Sequence, residues 1–206
     1  MILYKSTKIK KIEFFMPFIK NKRVVDFGCV GDGKMPFDEF DWIYKHIYKN
    51  ARYCLGIDIN LGGIEKMKKL GYNAMHIDEV DFNNIKKFDI VCAFDVITHI
   101  EDLKSFFEKI DKLLKVDGKL LISVPQPWFI RKLVSALIKG KVGSHPEQVF
   151  WFSIDTIQKI LKRFNYKVEY ITYGSGEPLY YHLKFLPKIV RHTSIYVISQ
   201  KRNIYT

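Results

Sequence analysis

The sequence predicts an α/β protein built on a doubly wound sheet with helices on both faces. Three observations lead there. Short β-branched runs alternate with helical patterns from Val24 onward, the signature of βαβ units. The first of these runs ends in an acid and passes directly into a glycine-rich turn, Val24 to Gly33. The chain of 206 residues is 48% hydrophobic and 15% aromatic, which suits a single domain with a sizeable core rather than a basic disordered tail.

In chain order, strands are expected at Arg23 to Phe27, Tyr53 to Ile59, Tyr72 to Ile77, Phe88 to Phe94 and Lys119 to Val124. Helical patterns separate them at Asp38 to Lys49, at Gly63 to Leu70 closed by Gly71, and at Ile100 to Leu114 ahead of the Asp117-Gly118 turn. Thr98-His99-Ile100-Glu101 has the spacing of a capping box and marks the expected start of the last of these helices. After Val124 the run Pro125-Gln126-Pro127-Trp128 introduces an amphipathic stretch to Lys139, on which Trp128, Phe129, Leu133, Val134, Leu137 and Ile138 share a face. Such a face packs on the sheet or closes over a site, and the neighbouring Arg131, Lys132 and Lys139 also suit contact with lipid phosphates. A loop from Gly140 to Glu147 follows, then a helix from a Ser153 cap to Phe164. Val168 to Tyr173 and Ser194 to Ser199 supply two further strands, bringing the sheet to seven. The stretch Gly174 to Arg191 between them reads as a loop or partial lid.

Charge is unevenly spread. The formal net charge is +12, and the excess sits in residues 1–23 and 127–206, while the stretch between them is mildly acidic. Basic flanks of this kind suit an anionic substrate, nucleic acid or a lipid surface, and equally a solvated lysine-rich exterior. No apolar run reaches the length of a transmembrane helix, and Met1 to Lys11 lacks the pattern of a secretory signal, so a cytoplasmic location is expected. Cys29, Cys54 and Cys92 are odd in number and far apart, as reduced buried thiols are. Six histidines include no pair at metal-binding helical spacing, and no protein-built metal site is expected.

The chemistry centres on Val24-Val25-Asp26-Phe27-Gly28-Cys29-Val30-Gly31-Asp32-Gly33. Glycines in this place tolerate positive φ and let the backbone approach a ligand. A second acid, Asp58, ends the next strand, and a third, Asp78, is expected to end the one after. Three acids at one sheet edge separate two cofactor classes. A dinucleotide would set its pyrophosphate against Asp26, whereas S-adenosylmethionine carries a cationic sulfonium and ammonium, ribose hydroxyls and an adenine amine, all of which suit acids.

Together, Val24 to Gly33, Gly56 to Ile59, Asp78, Phe88 to His99 and Lys115 to Val124 resemble the ordered motifs of class I S-adenosylmethionine-dependent methyltransferases. That resemblance implies a Rossmann-like, doubly wound seven-stranded sheet, mostly parallel with the last strand antiparallel. It implies one methyltransferase domain over residues 1–206, divided into an N-terminal basic helix (1–21), a cofactor-binding core (22–124) and substrate-side and C-terminal strands (125–206). It also implies site roles: Asp26 and Gly28, with the neighbouring Cys29 and Gly31, at the methionine part of S-adenosylmethionine; Asp58, with Ile59 beside it, at the ribose; Asp78 near the adenine amine; and Phe94 lining the pocket. The family's usual turn is Asp-x-Gly-x-Gly-x-Gly, whereas Asp26-x-Gly28-x-x-Gly31-x-Gly33 is one residue longer or has Val30 in place of the middle glycine. Small prokaryotic members with a similar Gly-Cys-Val-Gly turn share the later His-Pro-Glu-x-x-x-Trp-Phe pattern, here His145 to Phe152, and resemble methyltransferases of small molecules or cell-envelope glycans.

The expected activity is therefore methyl transfer to an oxygen or nitrogen of a small molecule or glycan intermediate. Such a displacement needs a base only where the acceptor must lose a proton. His99, in the turn after the fourth strand, is the first candidate, and His145 the second. The rival expectation is a nucleic-acid or membrane-surface binding protein on a degenerate methyltransferase fold, motivated by the basic flanks and the altered turn.

Overall fold

The computed structural model describes residues 11–31, 42–174 and 185–202. Seven strands form one sheet: β1 (Arg23–Phe27), β2 (Tyr53–Asp58), β3 (Ala74–His76), β4 (Phe88–Phe94), β5 (Leu114–Pro125), β6 (Tyr166–Gly174) and β7 (Ser194–Lys201). Their spatial order is β3-β2-β1-β4-β5-β7-β6. β1 pairs in parallel with β2 and β4, and β4 with β5, while β7 runs antiparallel between β5 and β6, as expected from the resemblance. The chain winds outward in opposite directions from β1 and β4, so a crevice opens where their carboxyl ends lie side by side.

Helices cover both faces, which is why the strands read as nearly continuous apolar runs. α1 (Lys11–Ile19), α2 (Ile43–Asn50) and α3 (Leu61–Lys69) cover one face, and α4 (Leu103–Leu113) and α6 (Ile154–Arg163) the other. Adjacent strand residues divide between the two cores: Val24 packs with Phe15, Ile47 and Ile64, Val25 with Ile57, Phe107 and Ile157. All three cysteines are free and buried. Among the described residues no helix is long and apolar enough to cross a membrane.

Several boundaries differ from expectation, for local reasons. β3 stops at His76, because a 3-10 turn, Ile77–Glu79, begins there with His76 accepting the Asp78 N–H. Asp78 thus lies in that turn and not at the strand end. The capping box expected at Thr98 to Glu101 does not form. Ile97–His99 makes a 3-10 turn, Ile100 is extended at φ −93°, and α4 starts after Asp102, whose carboxylate accepts the Ser105 N–H at 3.0 Å. Thr98 instead donates its hydroxyl to the Asp95 carbonyl at 3.2 Å. The Ser153 cap does form, reciprocally with Thr156.

The amphipathic stretch forms α5 (Ile130–Lys139), which is stopped by Gly140 at φ 65°. It does not pack on the sheet. None of its residues is buried, and Leu137 and Ile138 are 86% and 76% exposed, while Phe129 just ahead of it is buried and Lys132 lies over the Trp151 ring. The start of the expected Asp38 to Lys49 helix, most of the Gly174 to Arg191 loop, and residues 1–10 of the N-terminal basic segment lie outside the described residues.

Candidate active site at the carboxyl edge of the sheet

β1 delivers Asp26 and Phe27 into a turn that is held by backbone bonds at both ends. Gly28 donates to the Ile57 carbonyl at 2.8 Å, and Gly31 to the Gly28 carbonyl at 3.3 Å. Gly28 and Gly31 adopt φ of 83° and 71°, which side-chain-bearing residues rarely take. At Gly28 the need is also steric, since a Cβ there would lie 2.3 Å from Val96 Cγ2. The turn after β1 therefore touches the segment after β4. Cys29 turns its side chain away from the crevice, with Sγ 3.7 Å from Met67 Sδ, while its carbonyl accepts Trp42 Nε1–H at 2.9 Å. Any ligand contact by Cys29 is therefore one of backbone.

Two buried acids stand behind this turn. Asp26 is 2% exposed, and among the described residues its Oδ2 has no hydrogen-bond partner. Burial, reinforced by the Asp58 carboxylate and opposed by Lys11, pushes its carboxyl up to about 8. Asp58, at the end of β2, ties the turn to its neighbour: Oδ2 accepts the Val30 N–H and Oδ1 the Asn60 N–H, each at 2.9 Å. Burial raises its carboxyl above the ordinary range, and these backbone donors work against the rise. Ile59 is 74% exposed beyond it, and its carbonyl meets His76 Nε2 at 2.9 Å. Asp78 projects into solvent from its 3-10 turn, with an oxygen 3.5 Å from His76 Nδ1.

Across the crevice, β4 ends at Phe94, which is nearly buried against Phe15 of α1 at a centroid distance of 4.6 Å. Asp95 follows at φ 61°, locked by its N–H to the Ser123 carbonyl (2.8 Å) and by the Ser123 hydroxyl to its Oδ1 (3.0 Å). Lys11 of α1 pairs with its other oxygen. From the sequence, Asp95 reads as either a pocket acid or a polar residue after the fourth strand, and its pairing with Lys11 and Ser123 is not legible there.

His99 closes the 3-10 turn, donating its backbone N–H to the Val96 carbonyl at 2.9 Å, and its buried Nδ1 has no partner among the described residues. The ring lies edge-on to His145, with centroids 5.2 Å apart at 80°. The structure therefore brings the two candidate bases together. Glu147, which the sequence reading names in the His-Pro-Glu pattern without a role, stands with them: one ligand-type atom from each of His99, His145 and Glu147 lies within 4.8 Å of the others. The cause is backbone pairing, because the Val149 and Phe150 N–H groups both donate to the Thr98 carbonyl, at 2.9 and 3.1 Å.

Residues 4–171 match the family described as methyltransferase domain. Among curated proteins, the mitochondrial ubiquinone biosynthesis O-methyltransferase of Dictyostelium discoideum is 29% identical over 86 residues, covering 38% of this chain. That match spans only 26% of the relative's length. Among solved structures, an S-adenosylmethionine-dependent methyltransferase from Archaeoglobus fulgidus superposes with a TM-score of 0.66 at 18% identity, over 93% of this chain and 91% of the other. One from Mesorhizobium loti gives 0.58 at 17%, over 92% and 95%. The magnesium protoporphyrin IX methyltransferase of Synechocystis, with S-adenosylhomocysteine bound, gives 0.58 at 16%, over 93% and 80%. At these identities the likeness is one of fold.

Proposed function

The chain belongs to the methyltransferase-domain family, and on that premise we propose that it transfers a methyl group from S-adenosylmethionine to an oxygen or nitrogen of a small molecule or glycan intermediate. The observation that carries the donor assignment is the buried Asp26, with an unpaired oxygen, behind a turn whose Gly28 and Gly31 need positive φ. A buried acid without a partner is costly unless a ligand completes it. Bound there, S-adenosylmethionine supplies a methyl group already activated on a cationic sulfur.

The chain's residues then hold and orient. Asp26 and the backbone of Gly28, Cys29 and Gly31 take the methionine end, and Asp58, half used in fixing Val30, offers its remaining lone pairs to the ribose hydroxyls. The exposed Ile59 offers an apolar face toward the adenine, with Asp78 the more distant partner for its amine. Phe94 acts from beneath, packing α1 against the edge of the sheet.

Oxygen is the acceptor atom supported best. A hydroxyl is a weak nucleophile until its proton leaves, and His99, three residues beyond the Val96 that walls the glycine turn, meets the His145 ring and is the first candidate base. The enzyme's main contribution is to line up acceptor and methyl group. Calorimetric titration with S-adenosylmethionine and S-adenosylhomocysteine tests the donor assignment directly. Micromolar binding is expected, and no heat at millimolar ligand would overturn it.

A peripheral place on the cytoplasmic face of a membrane is favoured by one observation, the exposed Leu137 and Ile138 of α5 flanked by Arg131 and Lys139. Such a place would suit an acceptor carried on a lipid.

A further inference from the structure

We propose that His99, His145 and Glu147 form a binding site for a divalent transition-metal ion such as zinc, at the acceptor side of the crevice. One ligand-type atom from each lies within 4.8 Å of the other two. A shared ion at bond lengths of about 2.0–2.2 Å needs these atoms somewhat closer, a change within reach of side-chain rotation because His145 and Glu147 are exposed. Two further observations set this cluster apart from a chance meeting of polar side chains. Among the described residues the buried Nδ1 of His99 has no partner, and an imidazole nitrogen in that state calls for one. The loop that carries His145 and Glu147 is also fastened to the His99 turn, by the Val149 and Phe150 amides on the Thr98 carbonyl. The backbone thus places the three side chains before any ion arrives, and placement of this kind distinguishes a built site from an exposed acid cluster.

The donor set selects the ion. Two imidazoles and one carboxylate suit zinc, cobalt and their neighbours, whereas magnesium and calcium take oxygen ligands. The cysteines are buried elsewhere and add no sulfur. Three protein ligands leave a coordination position open, the arrangement of a working site rather than a closed structural one. His99 itself lies three residues beyond Val96, which packs on Gly28 of the glycine turn. There an ion would lower the cost of removing an acceptor hydroxyl's proton: the proton passes to water, the oxygen forms its bond to the methyl carbon, and the carbon–sulfur bond breaks with its electron pair left on sulfur. This role rests on the methyl-transfer reading above and takes the place of the histidines as base, since a coordinated imidazole nitrogen has no lone pair left for a proton; the binding of the ion does not rest on it.

The test is a cobalt(II) titration of the full chain after treatment with a chelator, with neither cofactor nor acceptor present. One equivalent is expected to bind, with the intense visible absorption of a four- or five-coordinate ion, and zinc should displace it. His145→Ala and Glu147→Gln, both at exposed positions, should each weaken binding at least about 10-fold. Affinity weaker than about 0.1 mM, or equal affinity in wild type and both variants, would overturn the site. Binding of S-adenosylhomocysteine, measured in the same metal-free protein, reports separately on the donor assignment.

Discussion

Binding of the cofactor should expel a proton from Asp26. The carboxyl lies in a fully buried position, and its pKa of about 8 means that about 0.9 of the molecules carry the proton at pH 7. Burial is the main cause and the Asp58 carboxylate adds to it, so a cation placed against Asp26 reverses both effects by supplying the missing countercharge. A drop of about 3 units, to about 5, is at the upper end of what one close opposite charge produces. The carboxyl would then be ionised in the complex, and close to one proton would leave per ligand bound at pH 7. Observed affinity should rise about 50-fold between pH 6 and 8 and level off above it. The assay is calorimetric titration with S-adenosylhomocysteine, which keeps the α-ammonium and does not react, in buffers of low and high ionisation enthalpy such as phosphate and Tris. The apparent heat should differ between the buffers by the proton count, and Asp26→Asn should abolish the difference. Buffer-independent heats in the wild type, or an unchanged proton count in Asp26→Asn, would show that this acid does not face the ligand's cation, and the reasoning would fail.

Asp58→Ala should raise the dissociation constant for S-adenosylhomocysteine by about 10- to 100-fold, corresponding to about 1.5–3 kcal/mol of charged hydrogen bonding; an unchanged constant in a folded variant would remove the ribose assignment. Gly28→Ala should destabilise the protein by about 1–3 kcal/mol in urea denaturation, from the φ of 83° and the contact with Val96. Adding Val96→Ala should recover only part of that loss, and full recovery would mean that the backbone conformation imposes no strain. The ligand-free protein should lose stability as pH rises from about 4 to 8, because native Asp26 holds a proton there that the unfolded chain has given up. His192, lowered to about 4 by burial and by Arg191 and Lys188, acts oppositely: its contribution is lost as pH falls from about 6.5 to 4. The Asp26 slope should accordingly be clearest between pH 7 and 8 and absent in Asp26→Asn; a flat wild-type profile there would contradict the assignment. Leu137→Glu with Ile138→Glu should reduce co-sedimentation with anionic phospholipid vesicles and leave S-adenosylhomocysteine binding intact, while equal sedimentation would argue against α5 as a membrane contact.

Much of the fold was legible because its signals are local. A strand buried on both faces must be apolar along its length, so β1 and β4 have the limits read from their β-branched runs. The positive-φ turn announced itself through Gly28 and Gly31, and Asp58 through its place at the end of a strand. Misreadings arose where two local solutions compete. The Thr98 to Glu101 spacing fits a capping box, yet the segment spends Thr98 on the Asp95 carbonyl and starts its helix at Asp102. The apolar stripe of α5 fits core packing by periodicity alone, and periodicity does not say whether a partner surface exists.

By itself, the sequence determined the alternation of strands and helices, the acid-then-glycine turn, and the chemical character of a ligand that would suit three acids. Each is a property of residues close together in the chain. Only the tertiary structure decided that Asp26 is sealed from water with an unpaired oxygen, that Val96 closes on Gly28, and that His145 and Glu147 meet His99. Those facts depend on which strands lie side by side and on where one carbonyl, that of Thr98, finds its two donors. Pairing between distant segments is settled by how the whole core closes, and no spacing along the chain encodes it.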